Sequence, residues 1–156
     1  MTFRLRSLAL VLLLALAAPV AVHADGKSDA QAALSRALIA LDRGDPRTAR
    51  VELMNAIKAD PDLAAARVAQ ARALLMLGNG TGADQELDRA HALGIALGPI
   101  RHLRAHAALL EGRAEDALAE VHAPDADPKE ALFRARIEGQ ALQMLGRYPE
   151  IGRAHV

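Results

Sequence analysis

His102 and His106 stand four residues apart, a spacing that brings two imidazoles to one helical face and can offer two ligands to zinc. No glutamate follows His102, no third ligand is evident, and His122 belongs to a different helix. Groove or surface histidines are therefore expected, and no metal ligand is assigned. Arg72 and Arg136 carry a different chemistry, because a guanidinium holds a carboxylate through paired hydrogen bonds. Carboxylates at Glu115-Asp116 and at Asp60 and Asp62 fall at helix starts or turns, where acids cap the backbone and complement the helix dipole. Only three serines occur, Ser7, Ser28 and Ser35, and none lies in a nucleophile motif. The run Gly78-Asn79-Gly80-Thr81-Gly82 reads as a glycine-rich turn before a helix, a place where phosphate can bind. No strand precedes it and no Lys-Ser/Thr follows, so it matches no nucleotide motif. Binding rather than catalysis is the expectation, with no catalytic residue and no cofactor.

The elements that carry these residues follow from an internal repeat. Gly44, Gly78, Gly112 and Gly146 are spaced by 34 residues, and Ala37, Ala71, Ala105 and Gly139 keep the same phase seven residues earlier. Ala49, Ala83 and Ala117 follow the glycines by five, then come Leu53, Leu87 and Val121, with Ala56 and Ala90 three further on. A period of about 34 residues is that of a helix–turn–helix unit stacked into a solenoid. Hydrophobic residues make up 52 % of the chain but aromatics only 2 %, so the apolar mass is mostly alanine and leucine, both good helix formers. The fold class expected is all-α, a superhelical solenoid of antiparallel helix pairs with about three and a half repeats. These are placed at 29–62, 63–96, 97–126 and, in part, 127–150. Asp45-Pro46 and Asp127-Pro128 have the form of an N-cap with proline at the first helical position, and Glu130 completes a capping box at the second. Pro124 shortens the second helix of the third unit.

The N-terminus reads as an export signal over 1–24. Arg4 and Arg6 precede an apolar run from Leu8 to Ala18, and Val22-His23-Ala24 has the small-x-small form cut by signal peptidase, placing cleavage after Ala24. The apolar stretch, about 16 residues, is short for a membrane span of about 20. A polar leader at 25–28 follows. The chain has no cysteine, which excludes disulfides and a lipid anchor. Without residues 1–24, 17 basic residues face 19 acidic ones, giving no basic excess for nucleic acid. A periplasmic or secreted protein is expected, with no stable membrane span after cleavage. The final residues 151–156, Ile-Gly-Arg-Ala-His-Val, look like a translated sequencing adapter, and the lattice asks for alanine where Ile151 stands. The sequence is therefore expected to be truncated near Glu150, with helix Pro128 to Leu145 unpaired and Leu142 and Leu145 exposed.

Small residues at the eighth position of each unit, glycine at the fifteenth and alanine at the twentieth and twenty-seventh, with Asp60-Pro61 closing the first unit, resemble the tetratricopeptide repeat. The resemblance covers about 120 of the 156 residues. Leu41-Asp42-Arg43-Gly44-Asp45, the stretch from Arg50 to Pro61, and Glu86-Leu87-Asp88-Arg89-Ala90 look like repeats of exported bacterial proteins that accompany exosortase and exopolysaccharide loci. Members of that group are often lipoproteins, and this chain lacks their cysteine. The repeat also usually carries bulky apolar residues at its fourth and seventh positions. Here the fourth is Ala33, Arg67, Arg101 and Ala135, and the seventh is Arg36, Gln70, Arg104 and Glu138. Rotated first helices or a lighter interior are the two expectations.

The resemblance implies a binding groove lined by the second, fifth, ninth and twelfth positions of each first helix. These are Gln31, Leu34, Leu38 and Leu41, then Ala65, Val68, Arg72 and Leu75, then Pro99, His102, His106 and Leu109, then Phe133, Arg136, Gln140 and Gln143. Leu38, Arg72, His102, His106, Arg136 and Gln140 are the partner-binding candidates. Such a groove suits an extended peptide with an apolar segment and an acidic group. The expected function is a protein-binding scaffold in envelope, exopolysaccharide or surface-protein assembly. A general periplasmic adaptor for outer-membrane or secretion machinery, and a metal- or anion-binding module using the histidines and arginines, stay open as alternatives.

Overall fold

Each glycine of the 34-residue series ends a helix in the left-handed region. The φ angles of Gly44, Gly78, Gly112 and Gly146 are 73°, 75°, 76° and 71°. The hydrogen bonds repeat as well. Gly44 N donates to Leu41 O at 2.9 Å and Asp45 N to Ala40 O at 2.9 Å, and the same pair recurs at Gly112 and Arg113, at 3.0 and 2.8 Å. This is the Schellman closure, in which the residue after the helix must take a positive φ that costs glycine nothing.

The computed structural model describes residues 20–147, which are mostly helical with no strand among them. The helices are α1 (Val20–Asp42), α2 (Pro46–Ala59), α3 (Ala64–Met76), α4 (Gly80–Ala92), α5 (Arg101–Leu110), α6 (Ala114–Val121) and α7 (Ala131–Met144). Short 3₁₀ turns at Gly98–Ile100 and Pro128–Glu130 lead into α5 and α7. Consecutive helices pack in pairs, and α1, α3, α5 and α7 also touch in sequence along one layer, which is compatible with an all-α solenoid. The expected signal segment up to residue 19 and the tail at 151–156 lie outside the described residues. Ala24 and the expected leader at 25–28 fall inside α1, so the leader is helical here. Among the described residues no helix is long and apolar enough to cross a membrane.

The packing explains the alanines. Ala37, Ala49, Ala56, Ala71, Ala83, Ala90, Ala105 and Ala117 are all fully buried, at the seams where paired helices come closest. Leu53, Leu87, Ile100 and Ile137 supply the bulk between them. Burying one such side chain stabilises the fold by about 1.5–3 kcal/mol. Asp45 caps α2 by accepting from Thr48 N at 3.1 Å, with Pro46 at the first helical position. Helix α6 spans only eight residues before Pro124.

Three expectations are corrected. The glycine-rich run is not a five-residue turn: Asn79 caps α4 by accepting from Gly82 N at 2.9 Å, and Gly80 and Gly82 are helical. Gly80 is needed because a Cβ there would lie 2.7 Å from Ala107 O, where α4 meets the end of α5. Leu142 is not exposed: it is 3 % accessible, packed with Leu118, Val121 and Ile137, and Leu145 is half-buried beside them. The large apolar residues that α7 does present to solvent are Leu132, at 89 %, and Met144. Nor do all the positions assigned to a groove face one, since Leu34, Leu41 and Leu75 are core residues.

The polar fourth and seventh positions have their own structural use. Glu52, Glu86 and Glu120 recur at 34 residues on the second helices and receive them. Arg36 Nε donates to Glu52 at 3.0 Å, Arg67 to Glu86 at 3.1 Å, and Arg101 and Arg104 to Glu120 at 2.7 and 3.2 Å. Charged pairs thus cross from first helix to second where bulky apolar contacts were expected.

Candidate functional site

The site is built from the start of α5 and the start of α7. Gly98 lets the chain at Asp125 pass against it, since a Cβ on residue 98 would sit 2.2 Å from Asp125 O. Asp127 N donates to Gly98 O at 3.3 Å, and Arg101 Nε donates to Asp125 Oδ1 at 2.5 Å. These contacts tie the loop after α6 to the turn before α5. Asp127 then caps the 3₁₀ turn by accepting from Lys129 N at 2.9 Å. Glu130 is not used as a capping-box partner in this arrangement. Its Oε2 lies 3.9 Å from His102 Nε2 instead.

Between α3, α5 and α7 lies a cleft of about 410 Å³ lined by Val68, Arg72, Pro99, His102, Leu103, Glu130 and Phe133. Val68, Pro99, Leu103 and Phe133 make apolar walls, while Arg72 and Glu130 supply opposite charges. Phe133 is one of two phenylalanines in the chain and the centre of a polar–aromatic cluster. The His102 and His106 rings meet it edge-on, with centroids 5.4 and 5.7 Å away. The Arg136 guanidinium carbon sits over its face at 4.6 Å, a cation–π contact.

Of the six sequence-derived candidates, Arg72 and His102 line the cleft, and His106 and Arg136 join it through Phe133. Leu38, 38 % exposed on α1, and Gln140, exposed on α7, are not among its lining residues. Leu103 and Glu130 line the cleft but were not among the sequence-derived site residues. The spacing of Glu130 from Asp127 is that of a capping box, and nothing local distinguishes that role from a wall of the cleft. Among the described residues no group of three His, Cys, Asp or Glu side chains is placed to hold a metal.

Burial lowers the pKa of His102, with Arg72 and Arg134 acting in the same direction and Glu130 and Asp127 opposing them. Burial also lowers that of His106, helped by Arg136. Both imidazoles thus bind protons less readily folded than unfolded. Stability rises with pH wherever the unfolded chain holds more protons, so their contribution is present above the unfolded value of about 6.5 and is lost as pH falls through the folded values. Urea midpoints taken from pH 7.5 down to 5 should therefore fall, and a His102→Gln/His106→Gln variant should flatten that slope. An unchanged slope in the variant would remove these two groups from the acid sensitivity.

Comparison of the chain with family models, with curated proteins and with solved structures finds no match.

Proposed function

We propose that this protein is a non-enzymatic scaffold of tetratricopeptide type, exported to the periplasm, that binds an extended peptide segment of another protein across α3, α5 and α7. The observation that carries the reading is the cleft around Phe133. Apolar walls suited to a side chain lie within one opening beside the exposed Arg72 guanidinium, with Arg136 adjoining through the ring. A peptide with an apolar residue next to an acidic group matches both parts, since charge-assisted hydrogen bonds to arginine give orientation and apolar burial gives affinity. Stacked helices reuse this mode widely for protein partners. The export signal and the resemblance to repeats near exosortase and exopolysaccharide loci support a role in cell-envelope or surface-protein assembly.

The test is a fluorescence-anisotropy screen with peptides that vary one apolar and one acidic position. Peptides carrying both should bind, and Arg72→Glu should weaken them by about tenfold or more, as expected for loss of a charged hydrogen bond. Equal binding of acidic and neutral peptides would overturn the assignment of Arg72. Fractionation with N-terminal sequencing checks the location: the periplasmic form should begin at Asp25.

A further inference from the structure

The second helix of the first pair differs from its counterparts on the side that the fold does not use. Ala49, Leu53 and Ala56 bury one face of α2. At about 100° per residue, Arg47, Val51, Met54 and Lys58 fall on the opposite face, with Arg50 beside them. All five are exposed, and Val51 and Met54 are 60 % and 55 % accessible. Arg47, Arg50, Val51 and Met54 line a depression of about 280 Å³ together with Leu77.

Repetition shows that this composition is not demanded by the architecture. One period later the same five positions read Thr81, Asp84, Gln85, Asp88 and Ala92. Asp84 and Asp88 are engaged by the following helix pair: Arg104 reaches both, at 3.6 and 2.5 Å, and Arg113 reaches Asp84 at 3.5 Å. The residues one period before Arg104 and Arg113 are Gln70 and Asn79, which are uncharged. These two positions of the following pair therefore offer Arg50 no carboxylate. Among the described residues none of Arg47, Arg50 and Lys58 is bridged to a carboxylate, although Arg47 acts on Asp45 through space. Arg36, Arg67, Arg101, Arg104 and Arg113 are all bridged.

We propose that the outer face of α2 is a docking surface for a bilayer bearing anionic phospholipid headgroups. The stripe runs over about three helical turns, with two exposed apolar side chains interleaved among its cations. That pattern lets arginine and lysine meet phosphates while short apolar groups enter the headgroup boundary. A membrane surface needs no groove, and it meets the charged and the apolar side chains of one exposed helix face together. The face shares no lining residue with the cleft around Phe133, so lipid and peptide bind through different side chains and the two assignments stand or fall independently.

The experiment is co-sedimentation of the full chain with vesicles of equimolar phosphatidylglycerol and phosphatidylcholine, and with phosphatidylcholine alone. The wild type should prefer the anionic vesicles and lose that preference in high salt. Arg47→Glu/Arg50→Glu/Lys58→Glu should weaken partitioning to them by about a hundredfold, as three surface cations imply. Val51→Ser/Met54→Ser should weaken it on both vesicle types, and Arg72→Glu should leave it unchanged. The N-terminal apolar run is the same in every variant, so its own contribution cancels in the comparison. Circular dichroism checks that the exposed substitutions leave the helices intact. Equal partitioning of wild type and charge-reversed protein overturns the proposal. So does binding to polyglutamate without binding to the anionic vesicles, which would assign the face to an acidic protein.

Discussion

Glu86→Ala lowers the stability of the protein by about 3 kcal/mol, because it removes the partner of a charge that the fold has taken out of water. Glu86 lies against the α3–α4 seam and accepts from Arg67 at 3.1 Å and from Arg89 on its own helix. The Arg67 side chain is 17 % accessible and that of Glu86 is 12 %, so neither can recover full hydration by turning outward. Arg67 Nε is already buried without a partner, which leaves the carboxylate as the main compensation for that guanidinium. Arg67→Met/Glu86→Leu should return to within about 1 kcal/mol of wild type, since well-packed apolar residues of similar volume replace a buried pair at little net cost. Glu52→Ala, which loses the same lattice contact to the exposed Arg36, should hardly move the urea midpoint. Equal losses from Glu86→Ala and Glu52→Ala would show that burial does not set the strength of these pairs.

The contrast also shows what was legible in the sequence. The period placed the glycines, and four matching positive φ angles follow from a constraint that only backbone geometry imposes. The buried alanines were legible for the same reason, because close helix approach admits little else. The charged pairs were not, although Glu52, Glu86 and Glu120 keep the 34-residue phase as faithfully as the glycines. A surface carboxylate and a seam carboxylate look alike in one dimension, and only the opposing helix distinguishes them. The cleft was half legible. Val68, Arg72, Pro99, His102 and Phe133 follow from the groove register, whereas Leu34, Leu41 and Leu75 in the same register are buried. Position within a helix is periodic, but how deeply a neighbour covers it is not. Leu142 failed similarly, because it finds cover in α6 rather than needing a second helix of its own pair.

Two glycine-to-alanine substitutions of identical chemistry should act in opposite directions and connect the fold to the cleft. At Gly139, in the middle of α7, a Cβ would meet nothing within 4 Å among the described residues, and no positive φ is required there. Alanine then adds helix propensity without strain, and stability should rise by about 0.5–1 kcal/mol. At Gly98 the added carbon would lie 2.2 Å from a backbone oxygen, which cannot rotate aside as a side chain would. The loop before α7 has to withdraw, straining the Asp127–Gly98 and Arg101–Asp125 contacts that anchor it. An overpacking cost of about 2 kcal/mol or more is expected. The displaced segment carries Glu130 and leads directly to Phe133, so the wall of the cleft moves with it. Gly98→Ala should therefore weaken binding of an apolar–acidic peptide even under conditions where circular dichroism shows the helices folded, while Gly139→Ala should leave it intact. Retained affinity in a destabilised Gly98→Ala protein would place the binding surface elsewhere than the α5–α7 cleft.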